Sequence, residues 1–155
     1  MSSNDVAHAT EVVVRGSGLG FAQEISARSH RLIADEPFSD DGTDTGPTPY
    51  ELLLAALGSC ASMTVALYAR RKGWSLEAVT VRLSHSRIHA VDCAECETKA
   101  GRLDRVEWSL HFHGDLTTAQ RARLLEIAQM CPVHRLLRSE VHIPAPGLID
   151  DGSSA

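Results

Sequence analysis

Apolar and polar positions change rhythm along this chain, and each change marks an element. Glu11 to Arg15 (EVVVR) is a β-branched run that reads as a strand. After a glycine-rich turn, Phe21, Gln23 and Ile25 alternate with Ala22, Glu24 and Ser26, and His30 to Ala34 is a weaker apolar run. Together they predict an antiparallel β-meander. Asp35 to Gly46 is an acidic connector, read as a solvated loop. Asp35 and Glu36 are read as surface charges, with Arg70 or Arg71 of a second subunit as the other reading of them. Asp40, Asp41 and Asp44 lack the spacing and closing glutamate of a calcium loop.

The next stretch organises the rest. From Leu52 to Ala69 the residues are apolar or small nearly all round, as in a core helix or a membrane span. Gly58, Ser59, Ser62 and Thr64 interrupt the run, so it is read as one long buried helix. Its ends are marked. Thr48 precedes Pro49 at the first helical position, Glu51 completes a capping box, and Arg70, Arg71 and Lys72 complement the far end before Gly73 stops it.

Beyond the helix, Val79 to Ile88 and Leu103 to His113 both alternate, the second with Val106, Trp108, Leu110 and Phe112 on one face. They predict a long hairpin around a polar excursion, His89 to Arg102. His111 and His113 are expected to face solvent. Thr117 to Gln129 is amphipathic, with Leu124, Leu125, Ile127 and Ala128 inward and Arg121, Arg123 and Glu126 outward. Cys131-Pro-Val-His134 starts a second short helix, and Val141 to Ile143 is read as a short final strand. Strands grouped apart from helices give an α+β fold. The 155 residues make one domain, with an ordered core of about 11–144 and disorder at 1–8 and 147–155.

Charge and composition narrow the function. A net charge of −5 argues against nucleic-acid binding, which needs a basic face. No apolar stretch follows a basic start, so no signal peptide is expected, and the protein is assigned to the cytoplasm with no membrane partner. Four cysteines in that setting read as thiols, metal ligands or catalysts before structural disulfides.

Cys60 lies on the apolar helix, where a cysteine on its own is usually a small buried side chain. Cys131 sits at an N-cap before Pro132. Backbone N–H groups there favour a thiolate, and His134 and Arg135 add positive charge. The two form a candidate redox pair. Asp92-Cys-Ala-Glu-Cys96 is a separate motif with three readings: half of a zinc site completed by His85 and His89, a redox dithiol made by Cys93 and Cys96, or two exposed thiols.

Two of these stretches carry a resemblance. Gly46-Pro-Thr-Pro-Tyr-Glu-Leu-Leu-Leu-Ala-Ala-Leu-Gly-Ser-Cys60 is similar to the first thiol motif of the osmotically inducible protein C / organic hydroperoxide resistance (OsmC/Ohr) family, and Cys131-Pro-Val-His134 is similar to the second. The resemblance spans about residues 11 to 144. It implies an intertwined homodimer, with the long helices packed together between wrapped sheets. It also implies a thiol peroxidase acting on organic hydroperoxides and hydrogen peroxide, with no metal or organic cofactor. Cys60 would become a sulfenic acid, Cys131 would condense with it, and a dithiol reductant would reopen the disulfide.

The resemblance also implies an arginine over the reacting sulfur, oriented by a glutamate directly after the motif proline. That position is Tyr50 here, with Glu51 one step later and about 100° round the helix. Arg15, Arg28 and Arg31 are candidates for the arginine, and Arg15, beside the glycine-rich turn, is favoured. Tyr50 leaves a second reading in play, a non-enzymatic stress or ligand-binding protein on the same scaffold. A metal-holding protein using Cys93 and Cys96 is the third.

Overall fold

The computed structural model describes residues 11–149. Strands β1 (Val12–Gly16), β2 (Gln23–Ala27) and β3 (His30–Ala34) lead to helix α1 (Pro49–Lys72). Strands β4 (Ala78–His89) and β5 (Arg102–His113) follow, then helices α2 (Thr118–Gln129) and α3 (Pro132–Arg138). The α+β order expected from the sequence is therefore the observed one as far as α3. Two 3-10 turns, Phe38–Asp40 and Ala90–Asp92, lie in the connectors.

The chain folds as two compact units. The first takes residues up to Gly58 together with Val81–Ser109, and the second takes Ser59–Thr80 and the chain from Leu110 onward. In the first unit, β1, β2 and β3 form an antiparallel meander in that order, with Val14 opposite Ile25 and Ile25 opposite Leu32. Arg28 turns the chain between β2 and β3 with φ at 56°. Gly58 of α1 faces β4 closely enough that a Cβ there would meet Leu83 Cδ1 at 2.8 Å, so helix and strand touch through a position that only glycine fills without a shift.

The predicted cap of α1 forms in full. Glu51 N–H donates to Thr48 Oγ1 at 3.2 Å, and Thr48 N–H donates to Glu51 Oε2 at 2.8 Å. Gly73, at φ 66°, ends the helix. One chain by itself covers only part of this helix. Leu57, Ala61, Val65 and Ala69, each four residues from the last, form one buried stripe, while Leu53, Met63 and Leu67 are exposed. By length and mean hydropathy, 1.8, α1 could cross a membrane, yet only 28% of that window is buried within this chain. Every residue of β1 is exposed as well.

The second unit holds the larger core, Val65, Phe112, Leu116, Leu124 and Ile127 among its members. Thr117 and Gln120 cap α2 reciprocally, side chain to backbone in both directions. One helical face differs from the sequence reading: Leu125 is 44% exposed, whereas Arg121 turns inward and donates from Nη1 to Phe112 O at 2.5 Å and from Nη2 to Gly114 O at 3.0 Å. Those two carbonyls close β5, and a guanidinium reaches both where leucine reaches neither.

The final strand does not form. Residues 140–149 carry no regular structure, and Val141 and Ile143 are 47% and 84% exposed. A three-residue strand needs a free edge to pair with, and Pro144 and Pro146 remove the donors that would extend it. Of the disorder expected at 1–8 and 147–155, all but residues 147–149 lies outside the described residues.

Candidate functional site

Both thiols of the predicted pair belong to the second unit. Cys60 lies one turn before Thr64 on α1 and is half-buried. Thr64 Oγ1 donates to the Cys60 carbonyl at 2.8 Å, a bond back along the helix. Cys131 caps α3 and is fully buried. Its Sγ accepts the His134 N–H at 3.4 Å. Fold and cap together bring Cys60 close enough to the Cys131 thiol to push its pKa up.

The protonation of Cys131 reverses the sequence expectation. Burial is the largest influence and pushes its pKa up, and the contact with Cys60 pushes the same way. The amides of His134 and Val133 pull it down but do not prevail. The enclosed sulfur has only these amides to offset its loss of water, and burial prevails. The His134 Nδ1 lies 2.6 Å from the Gln129 carbonyl, which can only accept, so that nitrogen carries a proton and donates it there.

The residues expected to assist are in the first unit. Tyr50 occupies the first turn of α1, 57% exposed, and stacks on the His85 ring with centroids 4.5 Å apart. His85 Nε2 is 2.9 Å from Asp104 Oδ1, and Arg87 Nε is 3.6 Å from the same oxygen. Glu51 is used by the helix cap. Arg15 stands opposite Glu24 in the β1–β2 register. With Gly16, Gln23, Glu24, Ile33 and Thr45 it lines a cavity of about 490 Å³, within the usual range for small-molecule sites. Arg28 and Arg31 are exposed at the β2–β3 turn.

The CxxC motif is a disulfide. Cys93 and Cys96 are bonded to each other, so neither the reading as two exposed thiols nor the zinc set survives in this state. His85 is committed to Asp104 and Tyr50, and His89 is exposed on the strand end. Among the described residues, no three side chains of metal-ligating type come together.

Sequence reasoning missed the most heavily bonded side chain. Asp35 is 2% exposed. Its carboxylate accepts from the amides of Glu36, Thr43 and Thr45 and from the hydroxyls of Thr43 and Thr45, at 2.5 to 3.2 Å. These bonds, led by that from the Thr43 hydroxyl, hold its pKa well below the usual carboxylate range despite burial. The signal was present: one aspartate followed by two threonines, each able to give amide and hydroxyl. The connector is thus a folded loop around a carboxylate, set directly before α1.

The family model described as OsmC-like protein matches residues 42–144. No curated protein matches by sequence. Among solved structures, an OsmC like protein from Mycoplasma pneumoniae aligns with TM-score 0.65 at 15% identity, covering 85% of this chain and 89% of the other. An organic hydroperoxide resistance protein from Elizabethkingia anophelis aligns with TM-score 0.63 at 17% identity, covering 86% and 91%. One from Legionella pneumophila, described as a predicted redox protein, aligns with TM-score 0.62 at 20% identity, covering 86% and 92%. At such identities the structures speak for the fold, and the family model, matching well over half of the chain, carries the assignment. The chain belongs to the OsmC-like protein family.

Proposed function

We propose that this protein is a cysteine-based thiol peroxidase of organic hydroperoxides and hydrogen peroxide. The carrying observation is the nearness of Cys60 to the Cys131 thiol, one sulfur buried and held protonated, the other half-buried. In the first step the Cys60 thiolate attacks the distal peroxide oxygen. An S–O bond forms, the O–O bond breaks, and the alkoxide leaves and takes a proton to become the alcohol. Cys60 is now a sulfenic acid. Cys131 gives up its proton and attacks the Cys60 sulfur, forming the disulfide and releasing water. A dithiol reductant then returns both thiols by exchange. Every electron moves between sulfur and oxygen, so this sequence of steps calls for no cofactor.

Arg15 is the group proposed to orient the peroxide, and Tyr50 stands where the resemblance implies a glutamate. The proposed assembly is a homodimer. Its support is the apolar surface one chain leaves open, Leu53, Met63 and Leu67 on α1 and Val12, Val13 and Val14 of β1. The proposed place of action is the cytoplasm, where dithiol reductants are maintained.

Treatment of the reduced protein with cumene hydroperoxide tests the reading. Mass spectrometry should find Cys60 linked to Cys131, and Cys60→Ser should abolish the thiol loss at both positions. Loss at the wild-type rate in that variant overturns it. Tyr50 favours the second reading, a ligand-binding protein without turnover, because a phenol stacked on His85 offers no carboxylate to hold an arginine. Alkylation of Cys60 and Cys131 that follows an ordinary thiol pH curve at both positions would favour it.

A further inference from the structure

The Cys93–Cys96 disulfide lies outside the peroxidase proposal, and its setting suits exchange better than stapling. Both cysteines are half-buried, with Ala94 and Glu95 exposed between them. The surrounding turn is closed without the sulfurs: Ala90 N–H donates to Gly101 O at 2.9 Å and Cys93 N–H to Ala90 O at 3.2 Å. A cross-link restrains the unfolded chain in proportion to the logarithm of the loop it closes, and a separation of 3 is close to the shortest loop a disulfide can make. Stability therefore gives this bond little reason to exist. Its rim is charged. Asp92, Glu95 and Glu97 are exposed around the sulfurs, and Lys99 is the nearest cation in sequence, its Nζ donating to Ala94 O at 3.4 Å.

We infer that the end of the β4–β5 hairpin is a second thiol–disulfide exchange site, whose partner is a dithiol protein presenting a basic rim. A partner thiolate attacks one of the two sulfurs, the Cys93–Cys96 bond breaks, and a mixed disulfide forms. The partner's second thiol displaces that sulfur. The partner leaves as a disulfide, and Cys93 and Cys96 keep two electrons and two protons. The carboxylate rim raises the local concentration of cationic thiols and lowers that of anionic ones, an effect screened by salt.

The test uses the full-length wild-type protein. Tryptic cleavage after Arg87 and Lys99 isolates both cysteines in one peptide, so differential alkylation reads this pair apart from Cys60 and Cys131. Cysteamine, 2-mercaptoethanol and 2-mercaptoethanesulfonate serve as cationic, neutral and anionic probes, with dithiothreitol as the dithiol. The expected result is reduction by dithiothreitol in the folded protein with the urea unfolding midpoint unchanged. Rates per thiolate should fall several-fold from cysteamine to 2-mercaptoethanesulfonate at low salt and converge near 1 M salt, where the screening length is about 3 Å. Reduction only on unfolding, a lowered midpoint after reduction, or rates indifferent to thiol charge would each overturn the proposal. Repeating the measurement in Cys60→Ser separates it from the peroxidase reading, since exchange at Cys93 and Cys96 should persist there whether or not peroxide consumption is lost.

Discussion

The Tyr50 ring lies on the His85 imidazole with planes only 15° apart and centroids 4.5 Å apart. Asp104 fixes that imidazole from its edge, 2.9 Å from Nε2. The first turn of α1 is thereby tied to β4 through an aromatic pair, where a carboxylate would have offered only charge. Because Tyr50 is 57% exposed, the stack should be worth about 0.5 kcal/mol, the low end for aromatic pairs. Tyr50→Phe keeps the ring and should unfold in urea as the wild type does, while Tyr50→Ala should lose that amount. Equal stability of the two variants would show that the ring contact contributes nothing.

The raised pKa of Cys131 has a consequence for alkaline stability. Burial favours the protonated thiol in the fold more than in the unfolded chain. Its contribution is therefore complete below the ordinary thiol pKa of about 8.5 and is lost as pH climbs through the raised folded value. Wild-type protein should lose stability between about pH 8.5 and the raised value, at up to about 1.4 kcal/mol per pH unit for this one group. Cys131→Ala removes the titration, at the cost of a small cavity. Its urea midpoint should begin lower and fall less steeply with pH. Parallel curves for the two proteins would contradict the burial argument.

The sequence made the local devices of this fold legible and left the meeting of distant ones open. Thr48, Pro49, Glu51 and Gly73 act within a few residues of each other, so the ends of α1 could be read from spacing alone. Strand alternation in β4 and β5 is just as local. Arg121 and Leu125 share a helical face with the core, and only the position of the Phe112 and Gly114 carbonyls decides which of them turns in. Asp35 looked like surface charge because its partners follow eight and ten residues later on a loop with no period. For Cys131 the cap was visible and the burial was not, and burial decides its protonation. The all-round apolar surface of α1 goes further than one chain: a single chain covers one stripe of it.

That uncovered surface makes the assembly testable. Met63 is 71% exposed and Leu67 45% exposed on a helix whose other face is packed. If a second copy covers them, the protein should sediment as a dimer, and Met63→Glu should shift it toward monomer by placing a charge in an apolar contact. The same substitution on a helix facing water costs little, so a monomer that keeps its unfolding midpoint would contradict an assembly that contributes to stability. A wild-type protein that sediments as a monomer at micromolar concentration would remove the homodimer from the proposal.

Asp35 gives the sharpest contrast between a charge and its surroundings. It is buried, its five donors come from Glu36, Thr43 and Thr45, and its own amide donates to Pro47 O at 3.2 Å, so one residue holds both ends of the loop before α1. Every partner of the carboxylate is a donor, and the charged form is the one they fit. Its folded pKa is depressed, so its contribution is complete above the ordinary carboxylate value of about 3.9 and is lost as pH falls below it toward the lowered value. Wild-type protein should therefore weaken on acidification through that window. Asp35→Asn turns an NH2 toward amides that can only donate, which leaves buried donors unpaired at every pH. The variant should have a lower urea midpoint at neutral pH and a smaller loss between about pH 4 and pH 2, because the group that titrates there is gone. Thr43→Val removes the hydroxyl that most depresses the pKa while leaving the Thr45 bonds, and should move the acid transition to higher pH. An unchanged acid transition in both variants would mean that the loop takes its shape from the backbone and that the carboxylate merely fits it.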